Sequence, residues 1–253
     1  MGVYAGPKAV SDALVLSLDA GNTKSYPTSG TTWTDLSGRG NNGTLAVRDR
    51  VYDAYDLQEG DFVLPNSNST NYPTYNSSNL GSISLDGNDD YVDFFSPNLG
   101  TTTTVEMWAR LGSNYQEKFL FGWLYYSVWC SGGNIGYNTG NGDSYGISSA
   151  VVNSLGLVNN WKHYVFEMRS DVSYTNNKIY VNGVVQTLSS QSANSETAAN
   201  RTFNSGNGRI CARRGNASYP TPMNCSSFRV YNRALSAEEV SQNFNSLRGR
   251  FSI

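Results

Sequence analysis

The chain has 253 residues, a formal net charge of −2 and charged side chains at only 15% of positions. That length can bury a core without disulfide or metal support, and the 18 basic residues are scattered, without the stripe that displaces counterions from phosphates. No run of 18 apolar residues is present, and residues 1–12 lack the apolar stretch of a secretory leader, so neither a nucleic-acid nor a membrane partner is expected.

Asn, Ser and Gly are abundant beside 17 Tyr, 10 Phe and 5 Trp, the balance of many short strands joined by turns. No Pro/Gly linker or charge run divides the chain, so one domain is predicted over residues 14–253. Residues 1–13 precede the first strand as a largely apolar arm, read as a docking segment that the core does not need. The run Leu14-Val15-Leu16-Ser17-Leu18 predicts a buried first strand. Residues 19–42 are polar, with Trp33 and Leu36 as apolar anchors, and residues 46–79 read as a long surface excursion.

Residues 82–85 and 91–94 flank the turn Asp86-Gly87-Asn88 and predict a hairpin. Residues 103–110 alternate polar and apolar, as a half-buried strand does. The apolar run 119–129 predicts two central strands, and residues 134–146 a Gly/Asn-rich loop. Further strands are predicted at 161–168 and 178–181, the second ending on Asn182-Gly183, a strong hairpin turn. A last strand at 227–231 precedes one helix at 236–247, where Ser236 and Glu239 have capping-box spacing and Val240, Phe244 and Leu247 share a face. Together these predict an all-β, two-sheet antiparallel sandwich with a short C-terminal helix.

Three side-chain groups are candidates for chemistry. Aromatic faces flanked by Asn, Asp and Gly hold sugars, and two stretches fit that pattern: Trp123, Tyr125, Tyr126 and Trp129, then Tyr137, Asn138, Asn141, Asp143 and Tyr145. The competing reading makes the first stretch sandwich core and the second an ordinary loop. Asp86, Asp89 and Asp90 either hold a cation or bond their own turn. The sole histidine, His163, has no nucleophile motif pointing to it and reads as structural. Cys130, Cys211 and Cys225 lack metal spacing and fit a reducing compartment, with a Cys211–Cys225 bridge left open.

Ordered blocks of the chain resemble a known family. Phe228-Arg229-Val230-Tyr231-Asn232-Arg233-Ala234-Leu235-Ser236-Ala237-Glu238-Glu239 resembles the closing block of concanavalin A-like, laminin-G-like jelly rolls. Residues 16–22, 33–45, 85–92, Val105-Glu106-Met107-Trp108, Trp161-Lys162-His163 and Ile179-Tyr180-Val181-Asn182-Gly183 resemble its other blocks in order. Gly6-Pro7-Lys8 and the stretch from Gln242 to Phe251 resemble a subgroup found in structural proteins of tailed, especially marine, bacteriophages.

The resemblance implies a non-catalytic exterior virion protein: a capsid decoration, head-fibre or tail-fibre component made in the host bacterial cytoplasm. Its implied partners are other virion proteins, sister subunits (a trimer, by analogy with fibre and knob proteins) and a host-surface glycan. The alternative is a lectin-like module that is not part of a virion. Glycanases of this fold carry Glu-x-Asp-x-x-Glu, and none of the seven glutamates here begins such a run. Relatives hold a structural calcium with a carboxylate on the last strand, where this chain has Ser226 and Ser227, so no cofactor is expected there.

Overall fold

β-Branched and aromatic runs, broken every few residues by Gly, Asn or Asp, set short strands and tight reversals. The structure, a computed structural model, describes residues 7–47, 71–97, 99–140, 143–192, 199–203, 206–212 and 219–253. In chain order the elements begin β1 (Leu14–Asp19), β2 (Thr32–Trp33), β3 (Gly43–Val47), β4 (Thr74–Asn76), β5 (Ser82–Leu85) and β6 (Asp90–Ser96). They continue β7 (Thr102–Leu111), β8 (Lys118–Gly122), β9 (Ser127–Cys130), β10 (Ile135–Asn138), β11 (Ser144–Ile147) and α1 (Ser149–Ser154). The last are β12 (Trp161–Arg169), β13 (Lys178–Val181), β14 (Val184–Val185), β15 (Ser189–Ser192), β16 (Gly206–Ile210), β17 (Met223–Tyr231) and α2 (Ala237–Leu247).

These strands form two antiparallel sheets. The first runs β14-β13-β12-β7-β17-β5-β4, with β1 also paired to β17, and the second runs β15-β11-β10-β9-β8-β16-β6-β3-β2. Val105, Met107, Phe166 and Phe228 of the first sheet meet Phe94, Phe121 and Val128 of the second in one core. Phe94 and Phe121 sit with ring centroids 5.0 and 5.8 Å from Phe228. The sandwich and its terminal helix match the predicted class.

The outer face of the first sheet is buried as well. Strand β7 alternates as predicted, but Glu106 and Trp108, on its outward side, are 1% and 0% exposed because α2 and the turn after it lie across them. The Trp108 ring is stacked within 4.3 Å of Phe251 and 5.8 Å of Phe244. Ser236 caps α2 and exchanges capping-box bonds with Glu239, as the spacing predicted. No described helix is long and apolar enough to cross a membrane.

Several sequence readings change. The turn after Leu85 does not close a hairpin, because β5 belongs to the first sheet and β6 to the second, so it is an inter-sheet crossing. Residues 134–146 are not a loop: β10 and β11 pair from Ile135–Ile147 to Asn138–Ser144. Ala46 and Val47 finish β3, and β4 pairs with β5, so the reading of 46–79 as excursion holds for neither end, while 48–70 lie outside the described residues. Leu36 is exposed, and Trp33 and Asp35 anchor that stretch instead. The three cysteines are buried free thiols.

The arm also differs from its reading. Val10 is buried with Val165, Tyr231, Leu235 and Val240. Its N–H donates to Asn243 Oδ1 at 2.8 Å, its carbonyl accepts the Tyr231 hydroxyl, and Gln242 donates to the Lys8 carbonyl. An apolar side chain and three hydrogen bonds therefore tie this segment to α2 and β17. Deleting residues 1–12 is expected to destabilise the isolated domain by about 2 kcal/mol or more, the transfer cost of one buried valine, and to lower Tm by several degrees in a thermal melt.

Candidate functional site

The residues singled out for sugar binding separate into buried and accessible sets. Trp123 and Tyr126 are each 1% exposed. The Trp123 ring is edge-on to Phe94, Phe121 and Phe203, and its Nε1 donates to Ser96. Tyr126 stacks on Phe203, with its hydroxyl held by Asn177 and the Arg169 backbone. Tyr137 is fully buried, its hydroxyl between the carbonyls of Glu167 and Lys178. These three rings fill the sandwich, so their faces are covered by protein and unavailable for stacking.

In the second stretch, Asn138 is engaged by the Arg201 guanidinium through its carbonyl and Oδ1. Asp143 is buried, and Tyr145 is half-buried against Tyr174, its hydroxyl on the Thr175 carbonyl. Asn141 lies outside the described residues.

Another aromatic group, partly accessible, lies on the outer face of the second sheet. Val128 and Cys130 point into the core, so Trp129 between them points outward. Phe119 packs 4.4 Å from the Trp129 ring, and Tyr219, 51% exposed, stands edge-on to Trp129 at 5.7 Å. Trp129 pairs with Gly136 and Gly136 with Gly146, so the next two strands add no side chain beside the indole. Further along this face Arg209 makes a two-pronged bond to Asp93 at 2.8 and 3.2 Å and lies 3.9 Å over the Tyr91 ring. The sequence pattern marks Trp129 as a candidate. Nothing in the sequence pattern marks Tyr219, because only the return of the chain beside β8 brings it there.

Three groups that could support acid–base chemistry, Glu106, His163 and Glu167, are enclosed by the protein. Glu106 is bonded to Arg229 at 2.7 Å and to the Asn243 side chain at 2.6 Å, with the Tyr231 hydroxyl at 3.4 Å. His163, fully buried, has Nε2 3.3 Å from Glu106 Oε1 and its ring against Trp108. Burial alone would raise the Glu106 acid, but the Arg229 charge, with His163 beside it, outweighs burial and holds it down to about 2. Glu167 is 2% exposed, with Lys178 at 3.2 Å.

Beside Ser226 on β17 stands a cation of the protein's own, Arg250. Ser226 donates to the Gly81 carbonyl. The Arg250 guanidinium reaches the carbonyls of Asn79, Leu80 and Gly81 and the Asp19 carboxylate at 2.6–3.3 Å. A Cβ on Gly21 would lie 2.2 Å from the Arg250 side chain, so only glycine leaves it room. The other acidic group, Asp86, Asp89 and Asp90, lies at the inter-sheet turn, with one carboxylate oxygen of each within 4.8 Å of the others. Burial, reinforced by Asp86 and Asp89, pushes the Asp90 acid up to about 7.

A family model of the concanavalin A-like lectin/glucanases superfamily matches residues 86–241, more than half of the chain. The chain belongs to that superfamily. Similar solved structures include the receptor-binding domain of botulinum neurotoxin C/D mosaic serotype, at 13% identity and TM-score 0.53, over 93% of this chain and 51% of that one. A botulinum neurotoxin serotype D ligand-binding domain in complex with N-acetylneuraminic acid matches at 12% and 0.54, over 93% and 51%. The binding domain of botulinum neurotoxin DC in complex with rat synaptotagmin II matches at 13% and 0.54, over 94% and 52%. At these identities the likeness is one of fold, and this chain spans about half the length of those solved chains. No curated protein matches the sequence.

The superfamily's lectin and glucanase members share a scaffold, so the environment of each carboxylate distinguishes them. Because the folded-state value of Glu106 lies below its ordinary 4.5, its ionised form stabilises the fold above that pH, and the contribution is lost as the pH falls toward 2. Acid titration followed by tryptophan fluorescence is expected to show unfolding in that window. Glu106→Gln is expected to lower stability at pH 7 and flatten the acid limb.

Proposed function

We propose that this chain is a non-catalytic carbohydrate-binding module carried on the exterior of a bacteriophage particle, as a capsid decoration, head-fibre or tail-fibre component. The platform of Phe119, Trp129 and Tyr219 carries the glycan reading. It offers the half-buried Trp129 ring and the exposed Tyr219 ring, backed by the buried Phe119, on a sheet face beside strands whose glycines add no bulk, as sugar stacking requires. The fold neighbours support the class, since one was solved in complex with N-acetylneuraminic acid.

Burial of three acid–base groups supports a module without turnover. Glu106 lies under α2 in an ion pair and Glu167 beside Lys178, so neither reaches an open face, and His163 is enclosed with Glu106. The expected readout is a glycan array and a host-polysaccharide column. Wild-type protein should be retained with the polysaccharide uncleaved, and Trp129→Ala or Tyr219→Ala should weaken binding about tenfold, one stacking contact, without loss of fold. Retention unchanged in the double variant would place the sugar on another face.

The virion setting rests on the resemblance of residues 6–8 and 242–251 to phage structural proteins. Val184 and Val185, 63% and 55% exposed on the edge strand β14, support a contact with sister subunits or other virion proteins, with a trimer as the expected assembly. Mass spectrometry of purified particles should find the chain at high copy. Its absence from them would favour a lectin-like module outside a virion.

A further inference from the structure

The crossing from β5 to β6 brings three carboxylates together, and the turn accounts for only part of them. Asp86 behaves as a turn residue. Its Oδ1 accepts the N–H groups of Asn88 at 2.8 Å and Asp89 at 3.4 Å, and its Oδ2 accepts the Asn88 side-chain amide at 3.0 Å. Asp90 is different. Only 3% exposed, it accepts the Asp86 N–H on Oδ2 at 3.0 Å, while Oδ1 is buried with no donor. A buried carboxylate oxygen without a partner carries the full cost of its lost hydration, and two more carboxylates lie within 4.8 Å. Either a proton or a cation relieves that arrangement.

Geometry favours the cation. Calcium takes oxygen ligands at about 2.3–2.6 Å, so ligands on opposite sides of one ion stand up to about 4.6–5.2 Å apart. One oxygen from each of the three residues falls inside that span. We propose that Asp86, Asp89 and Asp90 form a binding site for a hard divalent cation, calcium, at the crossing between the two sheets. Burial is graded, with Asp86 exposed, Asp89 half-buried and Asp90 buried, so the site meets solvent on its Asp86 side, where water would complete the shell. The neighbouring Lys118 ammonium bonds the Gly87 carbonyl at 3.3 Å, and Gly87 itself packs on Pro222, where a Cβ would come within 2.6 Å. These contacts hold the turn in place before any ion arrives. The site is separate from the last-strand position, where Arg250 already stands among the oxygens.

The test uses the full chain, stripped of metal with a chelator and titrated with calcium chloride by calorimetry and in a thermal melt, with magnesium chloride as a parallel arm. Calcium should bind at one site and raise Tm by about 5 °C at a hundredfold excess over Kd. Both effects should disappear in Asp89→Asn and in Asp90→Asn. Asp90→Asn should be at least as stable as metal-free wild type, because the amide removes the charge that the ion would balance. No heat and no shift in the wild type at millimolar calcium would overturn the site, and would mean that a proton alone satisfies Asp90. A calcium response that survives in the Asp89→Asn/Asp90→Asn double variant would overturn its location. An equal response to magnesium would overturn the assignment to calcium.

Discussion

One buried ion pair organises the outer half of this protein. Glu106 on β7 and Arg229 on β17 face each other across neighbouring strands at 2.7 Å, with Glu106 fully enclosed. A pair of this kind adds little net stability, because desolvation offsets the attraction, but losing one partner strands a charge at a cost of about 3–5 kcal/mol. The spare oxygens of Glu106 are therefore heavily used: Asn243 of α2 donates to Oε2, and Tyr231 approaches the same oxygen. Asn243 and Tyr231 then bond the Val10 backbone. Helix, last strand and N-terminal segment are positioned by one carboxylate. Apolar packing of Trp108 between Phe244 and Phe251 closes the remaining surface.

That arrangement divides the labour of the two sheets. The first has its outer face sealed by α2 and the residues after it, which enclose Glu106 and His163. The second carries Trp129 and Tyr219 on its outer face, where no described helix covers them. Both sheets are joined at the turn after Leu85, whose acidic residues reach inward at Asp90 and outward at Asp86. The two outer faces therefore differ: one is sealed by the C-terminal residues and the other carries aromatic side chains.

A second charged cluster is centred on Arg250. Arg250 gathers three carbonyls and Asp19 about its planar guanidinium, a fork of donors that suits several oxygens at once. Gly21 and Gly81 give it space: the first by lacking a Cβ, the second by a φ of +113° that places its carbonyl toward the fork.

Local pattern determined much of this from the sequence. Alternation and turn chemistry located β1, β7, β12, β13 and β17, the Asn182-Gly183 reversal and the Ser236–Glu239 box, because each depends on residues a few positions apart. Absence of a glycanase run was equally legible, being a statement about spacing. Tertiary structure alone decided which aromatic rings are core and which are surface. Trp123, Tyr126 and Tyr137 look like Trp129 and Tyr219 in composition, and only the facing of each strand separates them. It also turned the Asp86–Asp90 segment from a hairpin into a crossing, since local signals specify a reversal but not which sheet receives the next strand. Glu106 and Asn243, 137 positions apart, meet only because α2 folds back over β7, and no periodicity within either segment encodes that contact.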